Sequence, residues 1–118
     1  LYKKLEVLLM ISTEKVFDML PTVVDIYEKI GIEEYRKNVA KENKGKKDID
    51  SMGLGINLFM FVLKNSKNIK EEIFELVAAF EELTIEEAKA QAPGKTIAAV
   101  KAIFTNEEAV QLFKSAVQ

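Results

Sequence analysis

Seven glutamates, Glu71, Glu72, Glu75, Glu81, Glu82, Glu86 and Glu87, crowd into residues 71–87 with no lysine or arginine among them. Carboxylates at this density come nearest to chemistry in this chain, because converging acids can hold a divalent cation. Glu71 and Glu75, four residues apart, would share one face of a helix. A magnesium or calcium site needs more oxygens, drawn from loops or from several helices. First-turn glutamates have a simpler role, since they complement the positive end of a helix dipole. The expectation is a solvated acidic face, with no metal and no other cofactor.

Nucleophilic and acid–base chemistry has less to work with. The chain has neither histidine nor cysteine, so the commonest general base and the thiolate ligands are missing. Ser12, Ser51, Ser66 and Ser115 have no histidine to activate them, and neither GxSxG nor SxxK occurs. Gly53-Leu54-Gly55 lacks the context of a phosphate loop. Its expected role is steric: a helical glycine lets another backbone approach, at a propensity cost near 1 kcal/mol. No catalytic residue is nominated and no enzyme is expected.

The opposite charge block is Arg36, Lys37, Lys41, Lys44, Lys46 and Lys47, opposed only by Glu42, in a chain of formal net charge −2. Sixteen lysines stand against the single Arg36, whereas bidentate reading of bases or phosphates favours arginine. Tyr35 alone supplies an aromatic nearby, so nucleic acid is not the expected partner. The block reads as a solubilising loop, or as a surface that meets the acidic 71–87 region of a neighbouring subunit.

These charges have to be carried by a fold. At 118 residues, 48% apolar and 31% charged, the chain fits one soluble domain. "LYKKLEVLLMIS" sets two lysines before an apolar run, but Glu6 breaks it and no small-residue cleavage site follows, so a signal peptide is not expected. Residues 5–11 suit a strand or a helix. Ser12 or Thr13 should start a helix with Val16, Phe17 and Leu20 on its apolar face, which Pro21 ends or kinks. "TVVDIYEKI" continues to a stop at Gly31, and a short helix "IEEYRKNVA" runs into the polar loop "KENKGKK".

Asn68-x-x-Glu71, Thr84-x-x-Glu87 and Thr105-x-x-Glu108 each fit a capping box, predicting three helix starts. Pro93-Gly94 marks a break, with a further helix over "KTIAAVKAIF". Ile69, Ile73, Leu76, Phe80 and Leu83 follow a four-three rhythm, widened by Phe74 and Val77, as on a helix packed against a domain core. The expected class is all-α: one domain of six or seven short helices around a central apolar helix at 49–64. Residues 1–42 form its N-terminal helices, 43–48 a basic loop and 49–118 the helical core and C-terminal helix.

That central helix contains "MGLGINLFMFVLKN", the least polar stretch of the chain. Met52 to Leu63 would span roughly 18 Å as a helix, short of the ~30 Å of a bilayer core, so no membrane crossing is expected. On a helical wheel, residues 50–64 leave one narrow polar strip of Asp50, Gly53, Asn57 and Lys64. Phe61 falls within the strip and Leu54 at its edge, so both are expected to face outward as partner-binding residues. Met52, Phe59, Val62 and Leu63 are expected to point to the core. The last helix, 106–117, gathers Ala109, Leu112, Phe113, Ala116 and Val117 on one side. That side packs on its own domain or docks a neighbour or client, which adds Leu112, Phe113 and Val117 to the partner-binding candidates.

"NIKEEIFELVAAF", then "LTIEEAKAQAP", then "TIAAVKAIFTNEEAVQLFKSA" resembles the tail assembly chaperones encoded by long-tailed (siphovirus-type) phages and prophages of Gram-positive bacteria. The likeness covers about residues 48–118 and departs from the family where two adjacent phenylalanines near the end are replaced by Leu112-Phe113. The resemblance implies a non-enzymatic protein of the bacterial host's cytoplasm. It would bind the tape measure protein, keep that protein's hydrophobic helices soluble and assist tail tube assembly. It also implies a longer product made by translational frameshifting in many families. From the residues themselves, self-association through the 69–83 stripe or the terminal helix is expected. The alternative from the residues alone is a helical interaction or regulatory module, dimeric and DNA-associated through residues 36–47.

Overall fold

The structure, a computed structural model, describes residues 12–46 and 48–117, with the backbone alone at Leu112, Ala116 and Val117. Seven helices and no strand occur among the described residues: α1 Thr13–Ile30, α2 Ile32–Glu42, α3 Ser51–Lys64, α4 Lys70–Glu81, α5 Ile85–Ala90, α6 Pro93–Phe104 and α7 Glu107–Val117. The all-α class and the central apolar helix are therefore as expected. The strand-or-helix alternative for residues 5–11 lies outside the described residues.

Local chemistry sets the helix ends. Ser12 caps α1, its side chain accepting from the Lys15 amide at 3.2 Å. Gly31 closes α1 at φ 72°, and its amide donates to the carbonyls of Tyr27 and Glu28. Pro21 was expected to end or kink this helix, yet α1 runs through it for 18 residues. The bond Pro21 cannot make would have gone to the carbonyl of Phe17, whose residue is 67% exposed, so water can serve that carbonyl. Met19, Ile26 and Ile30 bury both halves of α1 against the core.

Of the three expected capping boxes, Thr84-x-x-Glu87 forms in full, with the Thr84 hydroxyl accepting from the Glu87 amide and the Glu87 carboxylate accepting from the Thr84 amide. The other two are corrected by a residue. Helix α4 starts after Ile69 with no side-chain cap. At α7 the cap is Asn106, whose Oδ1 accepts from Glu108 and Ala109. Thr105 belongs to the preceding helix, donating its hydroxyl to the Lys101 carbonyl at 2.6 Å. All three helices still begin within two residues of their expected starts.

Helix α4 is the inner strut. Ile69, Leu76 and Val77 are fully buried along it, and α1 lies against its length. Burying each such side chain contributes about 1.5–3 kcal/mol. Lys29 of α1 bonds Glu72 of α4 at 2.5 Å, and Lys15 sits over the Phe80 ring. Helix α6 packs on α3 and α4, and α7 packs on α3 and α2. Gly55 makes the second contact possible: a Cβ there would stand 2.9 Å from Val110 Cγ2 and 3.6 Å from the Thr105 Cα. The role of this glycine is steric as expected, but the close approach it allows is by the Val110 side chain rather than by another backbone.

Two apolar clusters result. The larger joins α1, α3, α4, α5 and α6. The smaller holds Val39, Ile49, Leu54 and Val110, tying α2 and the 43–50 connection to α3 and α7. No helix among the described residues is long and apolar enough to cross a membrane.

Candidate partner-binding surfaces

Helix α1 has apolar side chains at nine positions between 16 and 30: Val16, Phe17, Met19, Leu20, Val23, Val24, Ile26, Tyr27 and Ile30. One buried stripe cannot take them all. Ile26 and Ile30 face the core, while Val16, Leu20, Val23 and Tyr27, with the buried Met19 among them, turn toward α6 and α7. There they meet Ile103, Phe104, Ala109 and Phe113 across a groove of about 400 Å³. Its polar lining is confined to Asn106 and Glu108, and Asn106 is already engaged as the α7 cap. Phe17, Leu20 and Val24, at 67%, 41% and 48% exposure, carry the apolar surface from the groove onto the outer side of α1. From Val16 to Tyr27 the wall is about 16 Å long at the helical rise. Burial against this wall pushes the Tyr27 phenol up to about 12, so it stays neutral.

A second groove, of about 580 Å³, separates α2 from α3. It collects the polar strip read from the wheel, Asp50, Gly53, Asn57 and Lys64, together with Glu42 and Lys46. Tyr35, Val39, Ile49, Leu54, Met60 and Phe61 supply its apolar side chains. Phe61 does not stand free. Its ring stacks on Tyr35 with centroids 4.2 Å apart, and Tyr35 also meets Phe113 at 5.9 Å. This aromatic trio lies between the two grooves, Tyr35 and Phe61 lining one and Phe113 the other.

The expected site residues therefore divide. Phe61 and Phe113 are half-buried and brought together through Tyr35. Leu54, expected to face outward, is 6% exposed and belongs to the smaller cluster, because α2 and α7 cover that edge of α3. The side chains of Leu112 and Val117 lie outside the described residues. Met52 is corrected in the other direction: expected in the core, it is 76% exposed and continues through Ile56 and Met60 as a ridge with four-residue spacing. The wheel located the polar strip but not which neighbouring arc the other helices cover. Val16, Phe17 and Leu20 are expected on the apolar face of α1 but not as partner-binding residues; the surplus of apolar positions along the helix was the available signal.

Lys37, Lys41, Lys44 and Lys46 are exposed around α2 and its following loop, and Arg36 pairs with Glu33 at 3.1 Å, which holds the Glu33 carboxyl below its ordinary value. Glu75, Glu82, Glu86 and Glu87 are exposed on α4, α5 and the turn between them, while Glu72 and Glu71 pair with Lys29 and Lys89. No cluster of acids able to hold a metal ion occurs among the described residues. Comparison of the chain with protein-family models, with curated proteins and with solved structures found no match.

Proposed function

We propose that this chain is a non-enzymatic tail assembly chaperone of a phage or prophage, acting in the bacterial cytoplasm to keep the helices of the tape measure protein soluble. The observation that carries the reading is the apolar groove between α1 and α6–α7, extended onto the surface by Phe17, Leu20 and Val24. A concave apolar wall about three helical turns long suits an amphipathic helix laid along it. The charged residues elsewhere keep the carrier soluble while that wall stays open. Phe113, already singled out in the C-terminal motif that resembles such chaperones, lines the same groove.

The test is co-expression with a helical tape measure fragment. The wild-type chain should hold the fragment in the soluble fraction, and the Phe17→Glu/Val24→Lys variant should not, with its circular dichroism unchanged because both side chains are exposed. Equal solubilisation by the variant would remove the groove assignment. A gene neighbourhood with no tape measure gene would count against the phage assignment itself.

A further inference from the structure

The apolar groove beside α1 has an acidic rim. Glu108, exposed on the α7 bank, is the one charged side chain among the described residues that line it. On the α1 bank, Glu14 stands three residues before Phe17 and Glu28 four residues after Val24. Each exposed carboxylate is therefore a helical-face neighbour of an exposed apolar side chain. Asp18 and Asp25 are exposed on the arc behind them, and Glu107 is exposed next to Glu108. The cations of α1 and α7 are engaged elsewhere. Lys15 lies over the Phe80 ring of α4, Lys29 bonds Glu72 of α4, and Lys114 donates to the Ser51 hydroxyl of α3 at 3.3 Å. Lys95 and Lys101 of α6 are exposed, but neither lines the groove. The apolar wall is thus bracketed by carboxylates along α1 and faced by another across the gap.

We propose that the occupant of this groove is a cationic amphipathic helix. Its apolar face lies in the groove and on Phe17, Leu20 and Val24, and lysines or arginines flanking that face meet Glu14, Glu28 and Glu108. The inference rests on the reading of the groove as a helix-binding site and adds which helices it selects: those whose apolar stripe is bordered by basic residues. Long basic side chains suit this geometry, because their methylene stems cover apolar surface while the charged ends reach the rim. Opposite charges orient the helix and speed its encounter, and the apolar contact supplies the hold. The same carboxylates disfavour other occupants of the wall. A second copy docked through the same face in a twofold dimer would bring like charges into one interface. An anionic membrane or a nucleic acid would be repelled.

Fluorescence anisotropy tests it, with three labelled synthetic helices that share one leucine-rich face and carry lysine, glutamine or glutamate beside it. The full chain should bind the lysine helix most tightly at low salt. The glutamine helix should bind about tenfold more weakly, a modest factor because each exposed charge pair contributes little, and the glutamate helix more weakly still. High salt should bring the three together. The Glu14→Gln/Glu28→Gln/Glu108→Gln variant should hold the lysine helix no better than the glutamine helix, with affinity for the latter unchanged. Phe17→Glu separates the groove from charge alone: it adds a negative charge, yet should weaken binding of the lysine helix. Lysine and glutamine helices that bind alike would overturn the inference and leave the groove reading standing. No binding of any helix would overturn both. A lysine helix held by Phe17→Glu as tightly as by the wild type would place its binding on another acidic surface, such as α4–α5, and overturn the proposal. So would a wild-type dimer in sedimentation that Phe17→Glu dissolves, which would assign the face to a second copy.

Discussion

Tyr35 lies on Phe61 with ring centroids 4.2 Å apart and planes within 12° of parallel. The pair fastens α2 to α3 at the residue whose position in the polar strip marks it as a free surface anchor. Phe61 is thus structural as well as accessible. Phe61→Ala should lower unfolding free energy by about 2 kcal/mol, below the fully buried range because the ring is half-exposed. A double-mutant cycle with Tyr35→Ala should return about 1 kcal/mol of coupling by urea denaturation. Additive effects would mean that the stack contributes nothing.

The two glycines of α3 should respond oppositely to the same change. At Gly55 a Cβ would stand 2.9 Å from Val110 Cγ2, a β-branched side chain fixed in the smaller cluster. Gly55→Ala should therefore destabilise by about 1–2 kcal/mol despite its better helix propensity. At Gly53 the obstruction is the Asp50 carboxylate at 2.7 Å, the far end of an exposed side chain that can turn away. Gly53→Ala should be neutral or stabilise by up to about 1 kcal/mol. Thermal melts of the two variants check the contrast.

Capping should rank in the same way. Thr84→Ala removes a complete capping box and Asn106→Ala removes two accepted amide bonds. Each should cost about 1 kcal/mol. Asn68→Ala, outside the α4 cap, should stay within about 0.5 kcal/mol in urea titrations.

Tyr27 gives an alkaline signature. Its folded pKa is raised from 10.0 to about 12, so the neutral phenol is favoured by folding. That contribution is complete below pH 10 and is lost as pH rises through 12. Tyr27→Phe should flatten this part of the stability profile, measured by urea unfolding between neutral and strongly alkaline pH. At the acid end, Lys29 holds the Glu72 carboxyl below its ordinary 4.5. The link between α1 and α4 is present above that value and fades as pH falls through the lowered one.

Much of the fold was legible because it is written locally. Ser12, Gly31 and Thr84 act through backbone donors within three or four residues, and the Ile69–Leu76 stripe declares its own period. The capping errors at Asn68 and Thr105 are shifts of one residue: beside Thr105 it is Asn106 that takes the cap, and after Asn68 the helix starts at the apolar Ile69 with no side-chain cap. The surfaces were less legible because they depend on which helices cover which. Leu54 is buried only because α2 and α7 close over it, and Met52 is bare only because nothing among the described residues does. A wheel drawn for one helix contains neither fact. Phe113 was identified from its place on an amphipathic helix, whereas the wall it shares with α1 required the tertiary arrangement.

On the proposed function, the α1 face and its groove take a partner helix. Fluorescence anisotropy of a labelled apolar helical segment of a tape measure protein, titrated with the wild-type chain and with Phe17→Glu, tests it most directly. Saturable binding by the wild type, weakened at least about tenfold by Phe17→Glu (roughly 1.4 kcal/mol) with the melting temperature unchanged, is the predicted result. Equal binding by both proteins, or no binding by the wild type, would contradict it.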